Sequence, residues 1–186
     1  MLSKKEIVCP ENLLRLAKNK GPVKAVIVNA GKKVAIESTK QAADANLIIP
    51  IFIGNKPIIE KLAHDLSWDI SKYKIINANG EAEAASISAN LCGVGEADVL
   101  MKGQLHTDVF MKAALNRDAG LRIGSKFVHL FAMSHPDGGS PIVISDAAVN
   151  VNPDIETRKD ATISTVKLLN ALGIKHPKIA FLSATE

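Results

Sequence analysis

The chain has 186 residues, enough for one sizeable domain or for one domain and part of a second. Its 47% hydrophobic content excludes a disordered chain, and with only 4% aromatic residues the core must be built from Ile, Val, Leu and Ala. The net charge of +4 comes from scattered lysines and arginines, with no basic run and no interleaved aromatics; this argues against a nucleic-acid surface and agrees with a small anionic ligand.

Cys9 and Cys92 stand outside any paired motif, so they make neither a zinc site nor a redox pair and read as reduced, structural thiols. The N-terminal stretch lacks the apolar centre of a signal peptide, and no window approaches the ~18 apolar residues of a membrane span. The expectation is a soluble cytoplasmic protein.

In chain order, apolar runs alternate with amphipathic ones. Residues 23–29 (VKAVIVN) predict a buried strand and residues 33–46 a helix. Residues 47–53 (LIIPIFI) predict a second strand, with Pro50 an unfavourable centre. Asn55 is a candidate cap for a helix whose apolar face is Ile58, Ile59, Leu62, Ala63 and Leu66. A short strand at 74–77, an Ala-rich helix at 81–93 and a strand at 98–101 follow. Thr107 is placed to cap the next helix, with Phe110, Ala113 and Ala114 inward and Gly120 as its stop. Such alternation predicts an α/β fold, a mostly parallel sheet with helices on both faces in three layers. Ligands of such sheets bind beyond the carboxyl ends of the strands.

The pattern changes after residue 126. Two apolar runs, FVHLFAM and PIVIS, flank the loop HPDGGS, predicting an antiparallel pair. VNPDIETRKD then signals a helix start, with Asn152 as cap, Pro153 at the first helical position and Asp154 facing the dipole. Ile163, Val166, Leu169 and Leu172 supply its face, Gly173 ends it, and residues 178–183 predict a last strand. The division expected is a first α/β domain over 1–126 and the start of a second, incomplete one over 127–186.

Two segments carry candidate chemistry. In residues 100–115, LMKGQLHTDVFMKAAL, a strand runs through a Gly-containing loop into a helix. Gly103 permits close backbone approach, Lys102 brings charge, Thr107 offers a hydroxyl at a helix N-terminus, and Lys112 follows about one turn later; together they can cradle a phosphate. A capped surface helix with two solvated lysines reads equally from the same residues. In ISDAAVNVNPD, Asp146 and Asn150 follow a strand and can orient a substrate group, or simply bond the local turn. Of five histidines, only His106, in the Gly loop, is kept as a further site candidate; no spaced carboxylate cluster makes a metal site. NAGKK lacks the spacing of a Walker loop, and no GxGxxG follows a strand.

LMKGQLHTDVFMKAALNRDAGLR, SDAAVNVNPD, LGIKHPKIAFLSATE and, earlier, LIIPIFIGN together resemble the phosphate acetyl/butyryltransferase family, in order and spacing over nearly the whole chain. The nearest resemblance is to the branch fused to an enoyl-CoA hydratase, although no such domain is attached here. The resemblance implies an isocitrate/isopropylmalate dehydrogenase-like fold, truncated here, usually dimeric, with the site in an interdomain cleft. It implies transfer of an acetyl or butyryl group between coenzyme A and inorganic phosphate, with acyl-CoA, phosphate and acyl phosphate as partners. No metal and no bound cofactor are implied, since coenzyme A is a substrate. By motif, Lys102, Thr107 and Lys112 fall in the phosphate or acyl-phosphate region. Lys102 matches the butyryl-type form, where the acetyl branch has serine; Lys112 replaces an arginine and loses its bidentate fork. The loop after the first strand, NAGKK, lacks an acidic residue often found there.

The family's sequence continues for roughly as much again, and the residues credited with handling the thiol lie in that continuation. The general base is therefore unassigned here. A non-catalytic remnant that binds phosphate, acyl phosphate or a partner chain is the alternative. A decarboxylating dehydrogenase of the same fold would need clustered aspartates for a divalent metal, which the sequence lacks.

Overall fold

The computed structural model describes residues 9–134, 140–146 and 148–182. They divide into two compact units, Ala17–Ile123 and Met1–Leu16 with Gly124–Glu186.

Helix α1 (Glu11–Lys18) precedes the first strand. In the unit Ala17–Ile123, β-branched runs become strands because they can be buried on both faces. These are β1 (Val23–Val28), β2 (Ile48–Gly54), β3 (Lys74–Asn77) and β4 (Val99–Lys102), all parallel, in the order β3-β2-β1-β4. Ala25 and Ile27 of β1 and Phe52 of β2 face one core, with Ile36 from α2 (Lys33–Asp44) and Ile59 and Ala63 from α3 (Lys56–Asp65). Val26 and Val28, with Ile51 and Ile53, face the other, covered by Ala84 and Ala85 of α4 (Glu81–Gly93) and, less deeply, by Val109 and Phe110 of α5 (Thr107–Ala114). The three-layer arrangement predicted from alternation is therefore present. It follows from right-handed crossovers: steps from β1 to β2 to β3 leave α2 and α3 on one face, and the return to β4 puts α4 on the opposite face.

Pro50 sits in the middle of a central strand and is fully buried. The Gly54 carbonyl bonds the Ala78 N–H on the β3 side, so by alternation residue 50 faces that side too. The β2–β3 ladder begins only at Ile51↔Lys74, so no N–H is needed there.

Asn55 caps α3 as predicted, accepting from the Ile58 N–H at 3.1 Å. Thr107 does not cap α5: it is the first helical residue, His106 holds the cap position, and no side-chain cap bond forms. Gly120 ends not α5, which stops at Ala114, but a 3-10 turn over Arg117–Ala119, with φ of 72°.

In the second unit, β5 (Leu130–Met133) and β6 (Ile142–Ser145) form the predicted antiparallel pair, from Leu130↔Ser145 to Met133↔Ile142. Residues 135–139 of the connecting loop lie outside the described residues, as does the expected Asp137-Gly138 turn. Helix α6 (Ile155–Ala171) starts later than predicted. Asp154, not Asn152, is its cap, accepting from the Thr157 N–H at 2.7 Å and the Thr157 hydroxyl at 2.6 Å. Its buried positions are Thr157, Ala161 and Leu169, while Ile163 is exposed, so the apolar face is rotated from the one predicted. Residues 178–182 form no strand: a strand exists through its ladder, and no described segment pairs with this one. Ile179, Phe181 and Leu182 are exposed.

Candidate functional site

The strand order places a topological switch between β1 and β4. The chain leaves β1 toward α2 on one face and β4 toward α5 on the other, the arrangement that opens a crevice at the carboxyl edge. Here the chain bridges that crevice itself. The Gly103 N–H donates to the Val28 carbonyl and the Gln104 N–H to the Asn29 carbonyl, both at 3.0 Å. The Asn29 side chain donates to the Gln104 carbonyl from a left-handed backbone, φ 53°. A Cβ at position 103 would lie 2.4 Å from the Val28 oxygen and 2.8 Å from the Asn29 oxygen. The chain's own carbonyls thus require glycine there, whatever else approaches the loop.

Lys102, His106 and Thr107 are exposed around this closed seam, at the carboxyl end of β4 and the start of α5. Lys112 is in the last turn of α5 and lines a groove of about 440 Å³ between α4 and α5, with Ser86, Asn90 and Asn116. A larger groove, about 700 Å³, is lined mainly by residues 67–73 leading into the amino end of β3, and by none of the predicted site residues. Amino ends are not where parallel sheets place ligands.

Glu81 is the residue that the sequence reading missed. It opens α4, in the loop after β3, and one carboxylate oxygen meets His106 twice: it accepts from the backbone N–H at 2.9 Å and contacts Nδ1 at 2.8 Å. These bonds, the backbone one first, hold the Glu81 carboxyl below its ordinary range, with a smaller contribution from the Lys102 charge. Reciprocally, the hydrogen bond to Glu81 and then its charge raise the His106 imidazole; Asp108 adds to this and Lys102 opposes it. The available signal was positional: an acidic residue just after a parallel strand, at the edge where His106 also lies.

Asp146 and Asn150 belong to the other unit, where their polar groups are tied locally. Asp146 accepts from the His129 N–H at 3.0 Å and the Asn150 N–H at 3.1 Å, and the Asn150 amide donates to the Phe127 carbonyl at 3.0 Å and to Asp146. This is the local turn bonding that the sequence allowed as an alternative. Among the described residues, no group of three or more His, Cys, Asp or Glu is placed to hold a metal ion. Among the same described residues, no helix is long and apolar enough to cross a membrane.

The family model described as "Phosphate acetyl/butaryl transferase" matches residues 80–186, from the loop before Glu81 through the Lys102–Thr107 segment and beyond. A phosphate acetyltransferase of Rickettsia typhi is 34% identical over 176 residues, covering 94% of this chain and 50% of that protein. Among solved structures, a branched-chain phosphotransacylase from Enterococcus faecalis V583 matches with a TM-score of 0.69 at 24% identity, over 88% of this chain and 57% of that one. A phosphotransacetylase from Streptococcus pyogenes matches with a TM-score of 0.74 at 17% identity, over 89% and 60%; at these identities the two structures speak for the fold. The chain spans about half the length of the Rickettsia relative. With the family's model matched over more than half its residues, this chain belongs to the phosphate acetyl/butyryltransferase family.

Proposed function

We propose that this chain forms part of an enzyme transferring an acetyl or butyryl group between coenzyme A and inorganic phosphate. The observation that carries the reading is the family match over residues 80–186, which includes the loop at the carboxyl edge of β4. The thiolate attacks the acyl carbon of the acyl phosphate, a carbon–sulfur bond forms, and phosphate leaves with the electron pair of the broken carbon–oxygen bond. Catalysis then amounts to holding the phosphoryl group, stabilising the oxyanion and removing the thiol proton.

In this reading Lys102 and Thr107 hold the phosphoryl group at the rim of the sheet and Lys112 belongs to the substrate surface of the same unit; Asp146 and Asn150, in the other unit, are substrate-contact candidates of that unit by itself. Gly103 serves the site by letting β4 leave against β1. The domain boundary near residue 126 is supported by the compact unit ending at Ile123, although Met1–Leu16 groups with the second unit and not with the first. The partners are acyl-CoA, phosphate and acyl phosphate, the assembly is a homodimer, the compartment is the cytoplasm, and no metal or resident cofactor takes part.

Lys102→Ala tests the reading. Loss of one charge-assisted contact predicts binding of acetyl phosphate about tenfold or more weaker by isothermal titration. Unchanged affinity in a folded variant would return Lys102 to the solvated surface.

A further inference from the structure

Resting on the acyltransferase reading, we propose that Glu81 is a positioning residue for His106, and that the imidazole Nε2 it presents beside Lys102 binds a phosphoryl oxygen of phosphate or acyl phosphate. A carboxylate oxygen only accepts, so the 2.8 Å contact makes Nδ1 the donor. The second bond to the same oxygen, from the His106 backbone N–H at 2.9 Å, anchors the other end of the residue. Backbone and ring are thus fixed to one atom, although the His106 side chain is 80% exposed and has no packing to hold it.

The consequence is a defined free nitrogen. With Nδ1 committed to Glu81, the ring can engage a ligand only through Nε2, which has no partner among the described residues. In the protonated ring Nε2 is a hydrogen-bond donor with positive charge. Glu81 favours that protonated form, Asp108 assists, and Lys102 is near enough to oppose it. A phosphoryl group supplies several acceptor oxygens, so one such group can take a hydrogen bond from the imidazole Nε2 and another from Lys102 at the end of β4. The arrangement spans the sheet: Glu81 follows β3 and His106 follows β4, strands at opposite edges. The chain after β3 brings Glu81 back to meet His106 beyond the carboxyl end of β4, on the side of the sheet where ligands of parallel sheets bind.

The test uses the folded protein with ¹⁵N-labelled histidine. The free protein at alkaline pH should show neutral His106 protonated on Nδ1, with Nε2 bare; the reverse tautomer would overturn the positioning role. Inorganic phosphate, acetyl phosphate and coenzyme A are then titrated separately. Phosphate and acetyl phosphate should each shift Nε2 and compete with one another; a shift by coenzyme A alone would assign the contact to that molecule's own phosphates and overturn the proposal.

His106→Gln should weaken acetyl phosphate roughly ten- to a hundredfold. Glu81→Gln should lower the His106 titration midpoint and move the affinity loss to lower pH. Comparison with the parent protein at each pH cancels the ligand's own ionisation. Parent binding that both variants retain, with the same pH profile, overturns this inference and leaves the acyltransferase reading standing. A parent protein that binds neither phosphate nor acetyl phosphate overturns both.

Discussion

Gly103 shows how a residue chosen for one reason from sequence can be needed for another. Glycine before a helix suggests room for a ligand. In the structure the room is taken by the Val28 and Asn29 carbonyls, and a Cβ would lie 2.4 Å from the nearer one. Both atoms are backbone inside a hydrogen-bonded seam, so neither can swing aside. Gly103→Ala is expected to destabilise the protein by about 1–3 kcal/mol, as overpacking does. A lower urea midpoint with an unchanged slope would report it; an unchanged midpoint would mean that β4 leaves the sheet by another path. Asp154 is the corresponding case for a charged residue. Its carboxyl is held below the ordinary 3.8 by the Thr157 hydroxyl and then the Thr157 N–H. A depressed folded value means stability that is fully present above pH about 4 and is lost as pH falls through the lower folded value. Asp154→Asn, which keeps a cap acceptor, should therefore flatten the acid limb of a thermal-stability profile. An unaltered limb would assign acid sensitivity to other carboxylates.

Whole elements were most legible where local pattern and tertiary need coincide. The runs VKAVIV and IIPIFIG carry enough β-branched bulk to be buried on both faces, and Asn55 caps α3 with a side chain already suited to it. What failed were boundaries decided by distant partners. Thr107 has a capping side chain, but α5 begins one residue sooner, where the His106 N–H meets Glu81 from another loop. Asn152 and Asp154 are both good caps, and only Asp154 finds the Thr157 N–H in reach. Residues 178–182 are as apolar as a strand but have no described ladder partner. The Glu81–His106 pair was invisible for the same reason: its 25-residue separation carries no periodic signal, and it forms only because α4 and α5 both start at the carboxyl edge.

At the scale of the molecule, a chain spanning about half the length of the Rickettsia relative is expected to hold part of a shared site. Positioning two substrates and a base in one cleft supplies several kcal/mol of barrier lowering, and a partial cleft loses most of it. The 186 residues assayed alone should therefore show little or no release of acyl-CoA from acyl phosphate and coenzyme A; turnover in the range of the family's full-length enzymes would contradict this. Binding is a separate matter, because the rim at β4 and α5 lies within one compact unit. This rim is where the phosphoryl group is expected to bind. The most direct measurement is an amide NMR titration with acetyl phosphate. Saturable shifts are expected to concentrate at residues 102–107 and at Glu81, and to be abolished or much weakened by Lys102→Ala. Shifts gathered instead around residues 67–73 at the amino end of β3, or unaffected by Lys102→Ala, would contradict it.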